Sequence, residues 1–308
     1  MKKFYFMAGL PRAGSTLLST LLNQNPRIYS GPSSPVLGTM YVTHDNFIGA
    51  AAGVAHNELY TGYPKPDAAN KIVGSIIDNW YYDIEKPVVI DKNRAWCARV
   101  PFIEGYIKQE AKIIVPVRRI DEILASILTM IKRNPFEEGQ PRINFVDEYL
   151  VKNNIPINDE NRCNHLINPD GIIWESLNAT KLGVDEGHSD KFHYVDYNDL
   201  VNDPRTELNK IYTFLGEESF EHTFDNLSNQ HREDDITTYG LGDMHEVYSK
   251  LEKTSSDPST VLPASIIELY NSNKETLEFW KEPIKTFSTQ TKVVAPNTNK
   301  NSYNLFSQ

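Results

Sequence analysis

The chain has 308 residues, and its 31 basic against 41 acidic residues give a net charge of −10. That length carries enough apolar sequence for a substantial core in one large domain. The acidic balance argues against a sequence-independent nucleic-acid binder and against anchoring on an anionic membrane, so an anionic ligand must be held by local groups.

The run Phe4-Tyr5-Phe6-Met7-Ala8 is apolar without alternation, as in a central strand of a parallel sheet covered on both faces. It ends at Gly9, and from Gly14 onward Leu17, Leu18, Leu21 and Leu22 recur at helical spacing until Asn25-Pro26. The segment from Tyr29 to Lys86 is too long for a plain crossover and is expected to place helices over the sheet edge. Pro87 to Ile90 reads as a second strand leading into Asp91-Lys92, and Lys112 to Val115 as a third leading into Arg118-Arg119. Ile120, Ile123, Leu124, Ile127, Leu128 and Ile131 mark one face of the next helix, which Asn134-Pro135 ends.

After a second long insertion, Pro135 to Lys191, a fourth strand is expected at Phe192 to Val195. Asn202-Asp203-Pro204 then reads as a cap and first-turn proline for a helix carrying Leu208, Ile211, Tyr212 and Leu215, closed by Gly216. A last helix is expected around Pro263 to Trp280. The alternation predicts an α/β fold of the three-layer P-loop type, with a mainly parallel central sheet and helical insertions. One domain is expected over residues 1–285, followed by a polar tail over 286–308.

Gly9-Leu10-Pro11-Arg12-Ala13-Gly14-Ser15-Thr16 lies between the first strand and the first helix, where backbone N–H groups and the helix dipole favour a phosphate or sulfate. Both glycines and the final threonine match the nucleotide-triphosphate loop GxxxxGK[ST], but Ser15 stands at the lysine position. A β/γ-phosphate grip would lose its main cation there. The cation is instead Arg12, whose fork suits the oxygens of a phosphosulfate.

At these residues the chain resembles the sulfotransferases that use 3′-phosphoadenosine 5′-phosphosulfate (PAPS). Its loop is most similar to that of the tyrosylprotein sulfotransferases and related bacterial enzymes. The resemblance covers most of residues 3 to 280. It implies a phosphosulfate loop formed by Arg12, Ala13, Gly14, Ser15 and Thr16, and a 3′-phosphate reader formed by Arg118 with Ser126 eight residues later. Arg119 is an adjacent candidate for that reader. The segment Tyr197-Asn198-Asp199-Leu200 resembles the family's Tyr-Glu-Asp-Leu, with Tyr197 near the adenine and Asn198 departing from the usual glutamate. By the same resemblance Lys92 neutralises charge on the transferring group, and Ser255 lies near the phosphosulfate.

A hydroxyl acceptor also needs a general base, and the tyrosylprotein enzymes place a glutamate where this chain has Ser33. His44 beside Asp45 is the leading candidate from the following insertion, which also holds His56. The acceptor itself stays open among a peptide tyrosine, a carbohydrate, a lipid headgroup and a small molecule. With neither HExxH nor a Cys/His cluster, no metal is expected. Cys97 and Cys163 lack CxxC spacing, the apolar run after Lys3 is shorter than a signal-peptide core, and no stretch reaches the about 20 apolar residues of a membrane span. A cytoplasmic location follows as the expectation. Two other readings remain at this level, a kinase-like phosphotransferase using ATP and magnesium and a non-catalytic nucleotide-binding module.

Overall fold

A computed structural model of the chain describes residues 2–48, 66–231, 233–251 and 257–281. Strand β1 (Lys3–Met7) leads into helix α1 (Ser15–Leu22), then β2 (Ile28–Ser33), α2 (Val36–Ile48) and α3 (Pro66–Trp80). Strand β3 (Val88–Lys92) continues into a helical passage from Arg94 to Ile107, and β4 (Ile113–Val117) into α4 (Ile120–Arg133). Helices α5 (Phe145–Lys152), α6 (Asp159–Ile167) and α7 (Ile172–Asp185) fill the second insertion. Strand β5 (Phe192–Asp196), α8 (Tyr197–Asn202), α9 (Pro204–Leu215), α10 (Asp235–Tyr239) and α11 (Ala264–Leu277) complete the chain order.

Among the described residues the five strands form one all-parallel sheet in the order β2-β3-β1-β4-β5. Side chains alternate across a strand, so β1 feeds both faces. Phe4 and Phe6 join Val89, Ile113 and Val115 under α3 and α4, which contribute Val73, Ile77, Ile123, Leu124 and Ile127. Tyr5 and Met7 join Val88, Ile90 and Ile114 under α1 and α9, through Leu18, Leu21, Leu22, Leu208 and Ile211. This double coverage explains why β1, β3 and β4 read as unbroken apolar runs. The expected three-layer α/β architecture is therefore the observed one.

The structure corrects the sequence reading at several boundaries. Strand β2 falls inside what was expected to be an insertion, because Ser30-Gly31-Pro32-Ser33 has the composition of a turn. It forms the sheet's edge, where a proline costs no ladder bond, and its register shifts between Ser30 and Ser33. Strands β3 and β4 run on to Lys92 and Val117, and α1 stops at Leu22 rather than at Asn25. The capped start and glycine end of α9 are as expected. Asp203 accepts from the Thr206 N–H at 3.2 Å, and Gly216 takes a φ of 73°. The region expected to be a polar tail, 286–308, lies outside the described residues.

Because all five strands point the same way, their carboxyl ends share one edge of the sheet. Gly9 to Gly14, Ser33, Lys92, Arg118 and Tyr197 all emerge there, the side on which open parallel sheets bind ligands.

Candidate active site

The loop between β1 and α1 is tied to β4 by the Leu10 N–H, which donates to the Pro116 carbonyl at 3.0 Å. Gly9 permits this approach, since a Cβ there would stand 2.4 Å from the same oxygen. Arg12 and Gly14 both adopt left-handed backbone, with φ of 57° and 84°. Such turns aim successive N–H groups into one concavity and make an anion cradle. Gly14 is also the N-cap of α1 and supplies no side-chain cap, so first-turn N–H groups have no capping oxygen there.

Two guanidinium groups meet at this loop. Arg118, buried at the end of β4, donates from Nη1 to the Arg12 carbonyl at 3.1 Å and from Nε to Glu122 at 3.0 Å. Glu122 also accepts from the Asn198 amide at 3.3 Å. Burial raises the Glu122 pKa, but hydrogen bonding and charge from Arg118 outweigh it and hold the carboxyl below its ordinary value. Arg12 donates from Nε to Ser126 Oγ at 3.3 Å and from Nη1 to the Met244 carbonyl. Burial and, next, the positive charge of Arg118 lower the Arg12 pKa. Glu122 balances Arg118, so Arg12 remains as the cation of the pocket floor with no carboxylate partner among the described residues, a charge that a bound anion relieves.

Tyr197 is packed between these parts. The Arg118 guanidinium lies 4.3 Å from its ring centroid, a cation–π contact, and the ring covers Gly14, where a Cβ would come within 2.8 Å of Cδ2. Gly14→Ala therefore combines left-handed strain with a steric clash, and it is expected to destabilise the fold by roughly 1–3 kcal/mol. A denaturant titration checks this, and an unchanged midpoint contradicts it.

On the other side of the loop, β3 ends in a divided pair because Asp91 and Lys92 point to opposite faces. Asp91 is fully buried and accepts from Tyr81 Oη and Trp96 Nε1, each at 2.7 Å, and from Ser34 Oγ. Its burial pushes its pKa up. It anchors the strand end, whereas Lys92 borders the cavity with Ser33 and Arg94. Burial also lowers the Lys92 pKa, opposed by Glu233, whose carboxylate is 4.0 Å away.

One cavity accordingly gathers Arg12, Gly14, Ser15, Thr16, Lys92, Arg118, Ser126 and Tyr197. Ala13 is buried behind it and offers only its backbone. Arg119 pairs with Asp121 and stands 3.9 Å from Glu122, outside the cavity wall. His44 is not brought to the site. Helix α2 packs it against Phe102 and Tyr106, with ring centroids 5.6 and 5.4 Å away, and Asp45 is 3.5 Å from its Nδ1. An aromatic setting on the insertion thus replaces the expected place at the phosphate loop. Ser255 and His56 lie outside the described residues.

The cavity also contains a histidine that sequence reasoning missed. His245 lies on its wall, with Nδ1 2.6 Å from Asp235 Oδ1 and its backbone N–H donating to Asp235 Oδ2 at 2.8 Å. Glu233 lies 3.6 Å from the same ring nitrogen. The carboxylate orients the ring, and Nε2 has no hydrogen-bond partner among the described residues. No motif spacing announces this pair, because Asp235 opens α10 and His245 follows in an irregular stretch. Glu233, Asp235 and His245 offer donor atoms within 4.8 Å of one another, so they are also the group best disposed to take a metal ion among the described residues. The Lys92 ammonium already supplies positive charge beside them.

Comparison with known proteins agrees with this architecture. The sulfotransferase domain family model matches residues 3–255, and the chain belongs to that family of transferases. No curated protein matches the sequence. Among solved structures, the sulfotransferase domain from the curacin biosynthetic pathway has the same fold, with a TM-score of 0.52 at 13% identity over 89% of this chain and 98% of that one. The sulfotransferase domain of the Synechococcus PCC 7002 olefin synthase is similar over 89% of this chain and 94% of its own, at 20% identity and a TM-score of 0.44. Mouse sulfotransferase SULT7A1 complexed with PAP is similar over 90% and 83%, at 13% identity and a TM-score of 0.49. No helix among the described residues is long and apolar enough to cross a membrane.

Proposed function

We propose that this sulfotransferase takes its sulfuryl group from PAPS and passes it to an acceptor hydroxyl or amine, leaving 3′,5′-phosphoadenosine (PAP). The observation that carries the reading is the pairing of Arg12 with Ser126 and of Arg118 with the Arg12 carbonyl. It joins two separate cationic positions, as a nucleotide phosphorylated on both its 5′ and 3′ oxygens requires. The residues fit such a ligand because the loop is an N–H cradle, Arg12 has no carboxylate partner among the described residues while Glu122 braces Arg118, and Tyr197 presents a ring beside them.

When bound, PAPS supplies sulfur that the acceptor oxygen or nitrogen bonds as the S–O bond to the 5′-phosphate breaks. Each protein group has a matching task. Arg12, Lys92 and the loop N–H groups face the charge that collects on the departing phosphate. Arg118 and Ser126 hold the 3′-phosphate. For a hydroxyl acceptor, His245 Nε2 takes the proton while Asp235 keeps Nδ1–H in place, which makes His245 the general base in place of His44. The free Cys97 and Cys163 are buried, with thiol pKa values pushed up to about 12, which fits a cytoplasmic enzyme with unreactive thiols.

Thermal unfolding with PAP, compared with AMP, ADP and ATP plus magnesium, tests the donor. A ligand at about 100 times its Kd adds about 2.7 kcal/mol, so PAP is expected to raise the midpoint by several degrees. Arg118→Ala should abolish the PAP shift. A larger shift with ATP and magnesium would favour the kinase-like chemistry instead.

A further inference from the structure

Strand order divides the cavity into two halves. Strands β4 and β5 lie on one side of β1, and β3 and β2 on the other. Arg118, Ser126 and Tyr197 therefore flank the phosphate loop on one side, while Ser33, Lys92 and Arg94 flank it on the other. Under the proposed function, on which this inference rests, the first half receives the nucleotide and the second receives the acceptor. His245 and its carboxylate partners belong to the second half, because Lys92 stands against Glu233 at 4.0 Å.

Arg94 is the cation of that half that makes no direct ion pair among the described residues. Lys92 has Glu233, and His245 has Asp235 at 2.6 Å. Arg94 has no carboxylate within 4.0 Å and no hydrogen bond or ring contact among the described residues. Its backbone is nevertheless held firmly. The preceding Asn93 accepts from the Ala95 N–H at 3.0 Å and donates its amide to the Ser34 carbonyl at 3.1 Å, fixing the turn that carries Arg94 into the cavity wall. Arg94 is half-buried there, and its charge is one of the influences that lower the pKa of Lys92, after burial. A half-buried guanidinium that no protein carboxylate engages can offer its donors to an anion on a ligand. Its planar fork matches the paired oxygens of a carboxylate or a phosphate. The chain's net charge of −10 repels anions at long range, so recognition of one depends on such a local group.

We propose that Arg94 anchors the acceptor by an anionic group, so that the substrates are hydroxy acids or hydroxyalkyl phosphates, whose hydroxyl faces His245, rather than neutral alcohols. The carboxylate or phosphate docks on the guanidinium and takes no part in bond making. Arg94 is then a specificity residue. A site with an unpaired arginine discriminates strongly against the neutral analogue, because that analogue leaves the charge unsatisfied.

Titration calorimetry on full-length protein saturated with PAP tests this without requiring turnover. The probes are 3-hydroxybutyrate and its amide, and glycerol 3-phosphate and glycerol, each added to wild type and to Arg94→Gln. At least one anionic probe is expected to bind wild type about ten- to a hundredfold more tightly than its neutral counterpart. Arg94→Gln should erase that preference while leaving PAP affinity unchanged. Preference for 3-hydroxybutyrate alone assigns the carboxylate class, and preference for glycerol 3-phosphate alone assigns the phosphate class. The inference is overturned if neither anion binds the PAP-loaded protein, if acid and neutral probes bind alike, or if the preference survives in Arg94→Gln. It is also overturned if Arg94→Gln loses PAP, which would place Arg94 with the donor. Failure of wild type to bind PAP at all appears in the first step of the experiment and overturns the donor assignment together with this inference.

Discussion

Arg12→Ala is expected to lower kcat by at least about a hundredfold, with the fold retained. The guanidinium sits in the loop where charge builds during transfer, and removal of one preorganised donor from such a place costs about 3 kcal/mol. The fold should survive because alanine keeps the Cβ, so the left-handed strain at φ 57° is common to both proteins. The variant also loses the bonds to Ser126 and the Met244 carbonyl, so the 241–251 stretch should loosen over the cavity. Arg12→Lys separates charge from shape, since lysine restores a cation but not the two-pronged contact. Its rate should fall between wild type and alanine. Turnover is read with radiolabelled sulfate from PAPS, and PAP binding is measured in parallel. Wild-type kcat in Arg12→Ala would remove the arginine from the chemistry.

For a hydroxyl acceptor, His245→Gln is expected to reduce kcat by about 10²–10⁴-fold while sparing PAP affinity, because general-base transfer contributes on that scale. Asp235→Asn should have a smaller effect of the same kind. Its amide can present an N–H as well as an oxygen to Nδ1 across the present 2.6 Å contact, so the ring is no longer held in the tautomer that leaves Nε2 free to accept. A His245→Gln enzyme with wild-type kcat would remove His245 as the base. His44→Gln is the control, since its ring lies against Phe102 and Tyr106 rather than in the cavity.

The contrast between His44 and His245 marks where sequence reasoning ends. A histidine beside an aspartate in chain order looked like a dyad, but α2 turns His44 into an aromatic cluster and the 3.5 Å approach of Asp45 is local. The pair that faces the cavity is separated by ten residues and a helix, and is joined by a 2.6 Å contact that no spacing rule anticipates. The same limit applies to β2. Its polar, proline-containing sequence conceals a strand because an edge position asks little of it.

By itself, the sequence determined the parts that depend on near neighbours. The apolar runs of β1, β3 and β4 declare strands covered on both faces, the leucine spacing declares α1, and Gly9 to Thr16 declare an anion loop with arginine in place of the P-loop lysine. Arg118 and Ser126 could be paired because eight residues at a strand end and the next helix keep them at one edge. Only the tertiary structure decided the strand order, and with it the two halves of the cavity. It also decided that Tyr197 covers Gly14, that Glu122 braces Arg118, and that among the described residues Arg94 stands without a carboxylate within ion-pair distance while His245 has one. The reason is physical. Helices and strands arise from interactions over a few residues, whereas a site's charge balance depends on groups brought together from distant parts of the chain by burial of the core.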